Sequence, residues 1–418
     1  MATKTIADID VRGKKVVVRV DFNVPLADGK VSNDRRIVMA LPTIRQLLDK
    51  GAALVLISHL GRPSGKGFEP KFSLKPVADK LTELLGTKPV KMGDKDVGGP
   101  ADQKTAAALK AGEVLLLENV RFNAGEDISD KARQNPDGKL TAEQQAVQQD
   151  LTDRLAKLGD VYVNDAFGTC HRKHVSMYGL AKAIQAKGGA AVAGLLVEKE
   201  IKYLHDAVDT PRRPFVAILG GAKVSDKIKL ISALLGKVDK VLIGGAMAYT
   251  LLKAKGVKVG KSLVEADQVA PMTKLLAEAK DKIVLPVDHV ATDNFESGKP
   301  QSIADVNIPD GLMGMDIGAK TIAAFGREIA KAKTIIWNGP MGVFEKPAYA
   351  AGTQAIAQAT ADATGKGAVS VIGGGDSAAA VEEMGLDEKM THVSTGGGAS
   401  LTYLEGKAMP PLEVLDKK

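Results

Sequence analysis

The texture of the apolar runs in this chain constrains its fold more than any other feature. In the first half they occupy residues 16–20, 53–57, 114–117 and 161–163. In the second half they occupy 216–219, 241–243, 283–287, 334–337, 369–372 and 392–393. Each is short and nearly unbroken. Between them, stretches such as 35–50 and 74–85 repeat apolar residues at spacings of three and four, the period of an amphipathic helix. A strand apolar on both faces must be covered on both faces, which points to a parallel sheet between layers of helices. A chain of 418 residues also exceeds the usual size of one hydrophobic core. The expected fold is therefore α/β, with two doubly wound, Rossmann-like parallel-sheet domains.

The domain boundary is expected near residues 190–210. Gly188-Gly189-Ala190-Ala191 is small and flexible, residues 195–204 read as an amphipathic helix, and Pro211-Arg212-Arg213-Pro214 stops it. That helix is either an interdomain lever with hinges at its ends or an ordinary helix of the second domain. The division adopted is 1–194, 195–405 and a tail of 406–418. The tail is either frayed or a strap packing back on the first domain. Residues 124–150 are polar and read as surface elaboration, with Thr141 and Gln144 spaced for a capping box.

Several function classes recede on composition. No 18-residue apolar run exists, so no membrane span is expected. The single cysteine, Cys170, cannot form an intrachain disulfide, which suits a reducing, cytoplasmic compartment and reads as a bystander. The net charge of +7 comes from 57 basic and 50 acidic residues that are interspersed rather than massed. With only 16 aromatic residues and no stacking pattern, nucleic acid is not the expected partner. A nicotinamide dehydrogenase would place G-x-G-x-x-G after an early strand, and no such placement occurs.

The ends of the runs divide by chemistry. In the first half they deliver cations and amides. Asp21 and Asn23 follow the first run, with Arg35-Arg36 opening the next helix. His59 and Arg62 follow the second, Arg121 the third, and His171-Arg172 the fourth. Ligands of open parallel sheets lie beyond the carboxyl ends of the strands, and the arginine fork matches paired carboxylate or phosphate oxygens. The set points to a small, strongly anionic substrate. Asp21 suits a substrate hydroxyl or the orientation of a nearby arginine.

In the second half the runs end in glycine. Gly220-Gly221-Ala222-Lys223 with Lys227 reads as strand, turn and helix, though it is no Walker loop. Lys223 and Lys227 would share a helical face if the helix has begun there. Gly373-Gly374-Gly375-Asp376-Ser377 leads into another helix. A carboxylate at such an amide-rich start repels phosphate unless a cation lies between, so Asp376 reads as a magnesium ligand, the alternative being an N-cap. Gly244, Gly245, Met247 and Met313 suit flat walls for a base, while Asn338 and Glu345 suit phosphate and ribose.

Taken in order, several of these motifs resemble the phosphoglycerate kinase family over essentially the whole chain. They are Arg19-Val20-Asp21-Phe22-Asn23-Val24-Pro25, Ser58-His59-Leu60-Gly61-Arg62-Pro63, Gly220-Gly221-Ala222-Lys223-Val224, Trp337-Asn338-Gly339-Pro340, Gly373-Gly374-Gly375-Asp376 and Ser394-Thr395-Gly396-Gly397-Gly398. The resemblance implies reversible transfer between 1,3-bisphosphoglycerate plus MgADP and 3-phosphoglycerate plus MgATP, in glycolysis and gluconeogenesis, by a cytoplasmic monomer. It assigns Asp21, Asn23, Arg36, His59, Arg62, Arg121 and Arg172 to phosphoglycerate, and Arg36 and Lys223 to the moving phosphoryl group. Lys227, Asn338, Ser377 and the glycines 373–375 go to nucleotide phosphate, Asp376 to Mg2+, and Glu345 to ribose. Gly244, Gly245, Met247, Phe295 and Met313 go to the base. Cys170 and Lys173 stand where some relatives carry alanine, and Ser377 keeps the hydroxyl of a threonine. The family's domain closure is implied as well.

Overall fold

The computed structural model describes residues 2–86 and 89–418. The chain forms two compact units, Met1–Ile201 with Ala408–Lys418, and Lys202–Lys407. The first unit contains β1 (Lys15–Val20), the small hairpin β2 (Leu26–Ala27) and β3 (Lys30–Val31), α1 (Arg35–Asp49), β4 (Ala53–Ile57), α2 (Lys75–Leu85), β5 (Lys91–Met92) and α3 (Pro100–Ala108). It continues through β6 (Val114–Leu116), α4 (Ile128–Lys131), α5 (Ala142–Ala156), β7 (Val161–Asp165), α6 (Leu180–Ala186), β8 (Ala191–Ala193) and the start of α7 (Leu195–Val208). Its six-stranded sheet runs β5-β6-β4-β1-β7-β8, with every pairing parallel. The central strand β1 is buried on both faces, as its valines require.

The second unit holds β9 (Phe215–Leu219), α8 (Ile228–Leu235), β10 (Lys240–Ile243), α9 (Met247–Ala254), α10 (Val269–Ala279), β11 (Ile283–Val284), β12 (His289–Thr292), β13 (Gln301–Ile303) and β14 (Met313–Ile317). Then come α11 (Ala319–Lys331), β15 (Thr334–Asn338), α12 (Ala351–Gly365), β16 (Val369–Gly373), α13 (Gly375–Glu383), β17 (His392–Val393) and α14 (Gly397–Leu404). Its six-stranded parallel sheet runs β11-β10-β9-β15-β16-β17 around a core centred on Trp337, Phe325 and Ile218. The doubly wound α/β class is thus present twice.

Details depart from the sequence pattern for local reasons. The run 283–287 supplies only two strand residues, because Pro286 lacks the donor a ladder needs. A separate antiparallel sheet, β13-β12-β14, has no counterpart in the pattern, since β13 is largely exposed and polar. Ala191, the last residue of the stretch 188–191 read as flexible, instead opens the buried edge strand β8. Residues 124–150 are not surface throughout: Glu126 and Ile128 are buried, while the capping box of Thr141 and Gln144 does form. The C-terminal residues are a strap on the first unit, including the short helix α15 (Pro410–Glu413). The Asp416 amide donates to the Ala191 carbonyl at 2.8 Å, and the Asp416 carboxylate accepts from the Gln185 amide at 2.7 Å.

In a parallel sheet the helices that follow the strands open at the carboxyl edge, and each opens with amide donors that have no intrahelical partner. Buried carboxylates from distant segments meet several of them. Asp165, at the end of β7, accepts from the amides of Leu196 (2.9 Å) and Val197 (3.4 Å) at the start of α7. Asp316 accepts from Gly352 at the start of α12, at 2.6 Å; α11, which follows the antiparallel strand β14, is met in the same way by Asp288, which accepts from Lys320 and Thr321, both at 2.8 Å. Burial raises the Asp165 and Asp316 carboxyls to about 7, against amide donation that lowers them.

The sign of the resulting pH dependence follows. Between its ordinary value of 3.8 and about 7, the folded Asp165 binds more proton than the unfolded one, so its contribution to stability falls as pH rises through that window. Denaturant titrations of Asp165→Asn and the wild type should show the wild type losing ground on the variant from about pH 4 to about pH 7, by at most about 1.4 kcal/mol per pH unit. A constant difference across that range would show that burial does not govern this carboxyl.

Candidate functional site

Two groupings of functional side chains form, one in each unit. In the first unit, β1, β4, β6 and β7 end side by side and bring the strand-end cations together. Arg36, at the start of α1, donates through Nη1 to both Asp21 oxygens at 3.1 Å. Of the two roles open to Asp21, orienting a nearby arginine is therefore the one the geometry displays. Asn23 accepts the Gly61 amide at 2.8 Å, and Arg121 donates to the Gly61 carbonyl at 2.9 Å, so the His59-to-Arg62 loop is held from both sides. The Arg62 side chain is exposed and has no hydrogen-bond or ion-pair partner among the described residues. Arg172 is bound to Asp130 at 2.8 Å and donates through Nε to His171 at 3.0 Å.

The electrostatics of this grouping favour an anion. Burial lowers the His59 pKa well below its ordinary value, and Arg19, Arg121, His174 and Arg36 lower it further. Arg121 is lowered first by burial and then by Arg19, and its buried Nε has no partner among the described residues. A bound anion would offset the positive charge that lowers both groups. Asp130 is the counter-charge, its carboxyl lowered to about 2, chiefly by hydrogen bonding from His174.

Sequence reasoning passed over four members of this cluster: Arg19, Glu126, Asp130 and Ser176. Arg19 is fully buried and donates through Nε to Ser176 at 2.8 Å. Its signal was available, since an arginine in a run of valines must find partners inside the fold. Glu126, Asp130 and Ser176 gave no such signal.

In the second unit the loops after β9 and β15 meet at the point where strand order reverses, the usual ligand crevice of such a sheet. Their backbones touch. A Cβ on Gly220 would lie 2.0 Å from the Pro340 carbonyl oxygen, and Gly339, at φ +101°, could carry no Cβ without striking Gly220. Against this double loop lies a cavity of about 490 Å3 bordered by Lys223, Lys227, Asn338, Gly374, Gly375 and Asp376. The Asn338 oxygen accepts from the Lys227 ammonium, while its buried Nδ2 has no partner among the described residues. Burial lowers the Lys227 pKa.

Helix α13 opens on this cavity with Gly374 as its N-cap and no side-chain cap. Asp376 is therefore not the N-cap; it lies exposed in the first turn. An adjoining cavity of about 570 Å3 is walled by Gly245, Ala246, Phe295 and Met313, with Glu345 and Lys346 at its border. The Lys346 ammonium sits 4.2 Å from the centre of the half-exposed Phe295 ring and donates to the Phe295 carbonyl.

Some expected contacts belong elsewhere. Lys223 and Lys227 do not share a helical face, because α8 begins only at Ile228 and Lys227 is its N-cap. The Met247 side chain is fully buried, and the neighbouring Ala246 forms the wall instead. A Cβ on Gly244 would meet the Met341 sulfur at 2.6 Å, so Gly244 packs against Met341, and it does not border the base-side cavity. Gly373 ends β16 and is buried. The Ser377 hydroxyl accepts the Gly339 amide and donates to the Gly373 carbonyl, each at 2.8 Å, which leaves its position at the helix start, rather than its hydroxyl, for phosphate.

Gly220→Ala should destabilise the second unit by about 1–3 kcal/mol, because backbone rather than a movable side chain meets the new methyl. Chemical denaturation measures this, and a neutral result would mean the two loops can part.

Comparison with known proteins gives a consistent answer. The family model described as phosphoglycerate kinase matches residues 6–407. The chain is 50% identical over 418 residues to the phosphoglycerate kinase of Lactobacillus acidophilus, covering 100% of each chain. It is 51% identical over 420 residues to that of Chloroflexus aurantiacus, covering 99% of each. Among solved structures it is similar to phosphoglycerate kinase from Coxiella burnetii, with a TM-score of 0.84, 38% identity, and 99% and 98% of the two chains covered. The corresponding values for the Pyrococcus horikoshii enzyme are 0.81, 34%, 99% and 98%.

Proposed function

Because the chain belongs to the phosphoglycerate kinase family and is a glycolytic, ATP-binding phosphotransferase, we propose that its two groupings divide the reaction between them. The first unit binds 3-phosphoglycerate or 1,3-bisphosphoglycerate through Asp21, Asn23, Arg36, His59, Arg62, Arg121 and Arg172. The second binds ATP or ADP. The observation that carries this reading is the segregation itself. Mutually repelling cations gather in one unit, and glycine backbone, one buried unpartnered amide, lysines and the carboxylates of Asp226 and Asp376 gather in the other.

The nucleotide's base fits the wall of Gly245, Phe295 and Met313, its ribose lies near Glu345, and its phosphates lie against the start of α13, Lys227 and the Asn338 amide. The chemistry of the donor set suits Mg2+ held by Asp376. Magnesium keeps several waters and takes one or two carboxylates plus phosphate oxygens, and no cluster of three metal-ligating side chains exists among the described residues. When bound with nucleotide, the ion neutralises phosphate charge and orients the terminal group.

The acceptor is a carboxylate, already ionised, so no general base is needed. One carboxylate oxygen forms a bond to the terminal phosphorus as the bond to the ADP oxygen breaks. Positioning and charge stabilisation do the rest. Arg36, pre-oriented by Asp21, and Lys223 steady the equatorial oxygens. The domain closure that the family resemblance implies would align acceptor and donor and exclude water, which would otherwise take the phosphoryl group. No helix among the described residues is long and apolar enough to cross a membrane. With the lone cysteine buried, the reading is of a cytoplasmic monomer that also runs the reverse reaction in gluconeogenesis.

A coupled assay with 3-phosphoglycerate and MgATP tests the activity; no ADP formation would sink it. Site assignment is tested by calorimetry. Arg121→Ala should weaken 3-phosphoglycerate binding by about 1.5–3 kcal/mol while ADP affinity stays within twofold. Equal losses for both ligands would point to unfolding or a misplaced site. Lys223→Ala should lower the bound-state transfer rate by about a hundredfold or more with little change in MgATP affinity, since its charge acts on the transition state. Rapid-quench kinetics beside equilibrium binding separate the two, and an unchanged transfer rate with collapsed affinity would make Lys223 a binding residue only.

A further inference from the structure

Arg19 is fully buried near the carboxyl end of the central strand, and its hydrogen bonds run in one direction. A guanidinium has five donors and no acceptor. Its Nε donates to the Ser176 hydroxyl at 2.8 Å, so that hydroxyl accepts there and turns its own proton toward Glu126, 2.6 Å away. The Ser176 amide donates to the other Glu126 oxygen at 2.8 Å, which fixes the glutamate. Arg19 Nη1 donates to the Val20 carbonyl, and Nη2 faces His59 Nδ1 at 3.1 Å.

The nitrogen that faces a pure donor must carry the lone pair. Were His59 protonated at Nδ1, two N–H groups would oppose each other at 3.1 Å inside the fold, with neither satisfied. The one nearby acceptor that could favour that proton is the Asp21 carboxylate, 3.9 Å from Nδ1 and already engaged at both oxygens by Arg36. No hydrogen bond of the described residues engages Nε2.

We propose that Arg19 is a positioning residue that fixes His59 in the tautomer protonated at Nε2, so that a neutral histidine presents a hydrogen-bond donor to the anionic substrate. The substrate half of this inference rests on reading the first unit as the phosphoglycerate site. The charged and titratable groups around His59 are Arg19 on β1, Asp21 after it, Arg36 on α1, Arg121 beyond β6 and His174 ahead of α6. Burial and the four cationic or titratable neighbours Arg19, Arg121, His174 and Arg36 all disfavour imidazolium. The site therefore offers a directional N–H whose availability does not change across the physiological range. A titrating histidine would instead couple substrate affinity to pH near about 6.5.

Nitrogen-15 NMR of the full-length enzyme tests this, with His59 assigned by the resonance lost in His59→Asn. In the ligand-free wild type, His59 should show Nδ1 unprotonated and Nε2 protonated, unchanged from about pH 5.5 to about pH 8. A protonated Nδ1, or titration in that range, overturns the inference whether or not the Arg19 variants fold. Arg19→Met should release the constraint, giving mixed tautomers or titration near about 6.5 and weakening 3-phosphoglycerate binding about tenfold. Arg19→Lys, still a pure donor, should restore the Nε2-protonated form. If Arg19→Met leaves the tautomer unchanged, Arg19 does not set it. Addition of 3-phosphoglycerate should shift Nε2. If calorimetry registers binding and Nε2 does not move, the donor role is wrong; if 3-phosphoglycerate does not bind at all, the functional reading falls with it.

Discussion

The unpaired amide donors at the carboxyl edges of the two parallel sheets are the constraint on which the rest of this structure depends. A helix that follows a parallel strand opens at that edge, and its first amides find no partner within the helix. The protein answers in two ways. At α7 and α12 a buried aspartate from a distant segment fills the need, and the helix start is closed. At α13 the cap is Gly374 with no side chain to offer, and the start faces a cavity. The same physics makes a structural joint where a carboxylate is supplied by the chain, and a surface suited to phosphate where none is supplied.

The first unit solves a related problem with opposite charge. Gathering Arg36, Arg121 and Arg172 around His59 is unfavourable without an anion, and the lowered pKa values of His59 and Arg121 register burial and that positive charge. Buried and half-buried acids hold the arrangement together. Asp21 orients Arg36, Asp130 holds Arg172 and His174, and Glu126 fixes Arg19 through Ser176. Removing one partner of such a buried set exposes the others to the full desolvation penalty. Preorganisation and stability are therefore supplied here by the same contacts.

Much of this was legible in the chain. The main strands of both sheets stand close to where unbroken apolar runs place them, because a strand covered on both faces has no room for polar residues. The features that escaped are those whose signal is weak for a physical reason. Ala191–Ala193 is a strand only because β7 lies beside it, and Gln301–Ile303 only because β12 does. Lys223 and Lys227 look helical by spacing, yet the glycine turn delays the helix to Ile228. Met247 matches a base-pocket position by motif, but its side chain turns into the core. The Ser377 hydroxyl bridges Gly339 and Gly373 across two loops, a contact between residues 38 apart that local sequence cannot express.

By itself the sequence determined the α/β class, the two sheets, the cationic and glycine-rich strand ends, and the family. These follow from periodicity, residue chemistry and motif order, which are properties of neighbours along the chain. Only the tertiary structure decided which buried acid serves which helix, that Arg19 faces His59, and that the Asn338 amide is left unpartnered beside a cavity. Those facts depend on which distant groups share a low-dielectric interior. There a donor must find an acceptor or remain unsatisfied, and no local pattern records the outcome.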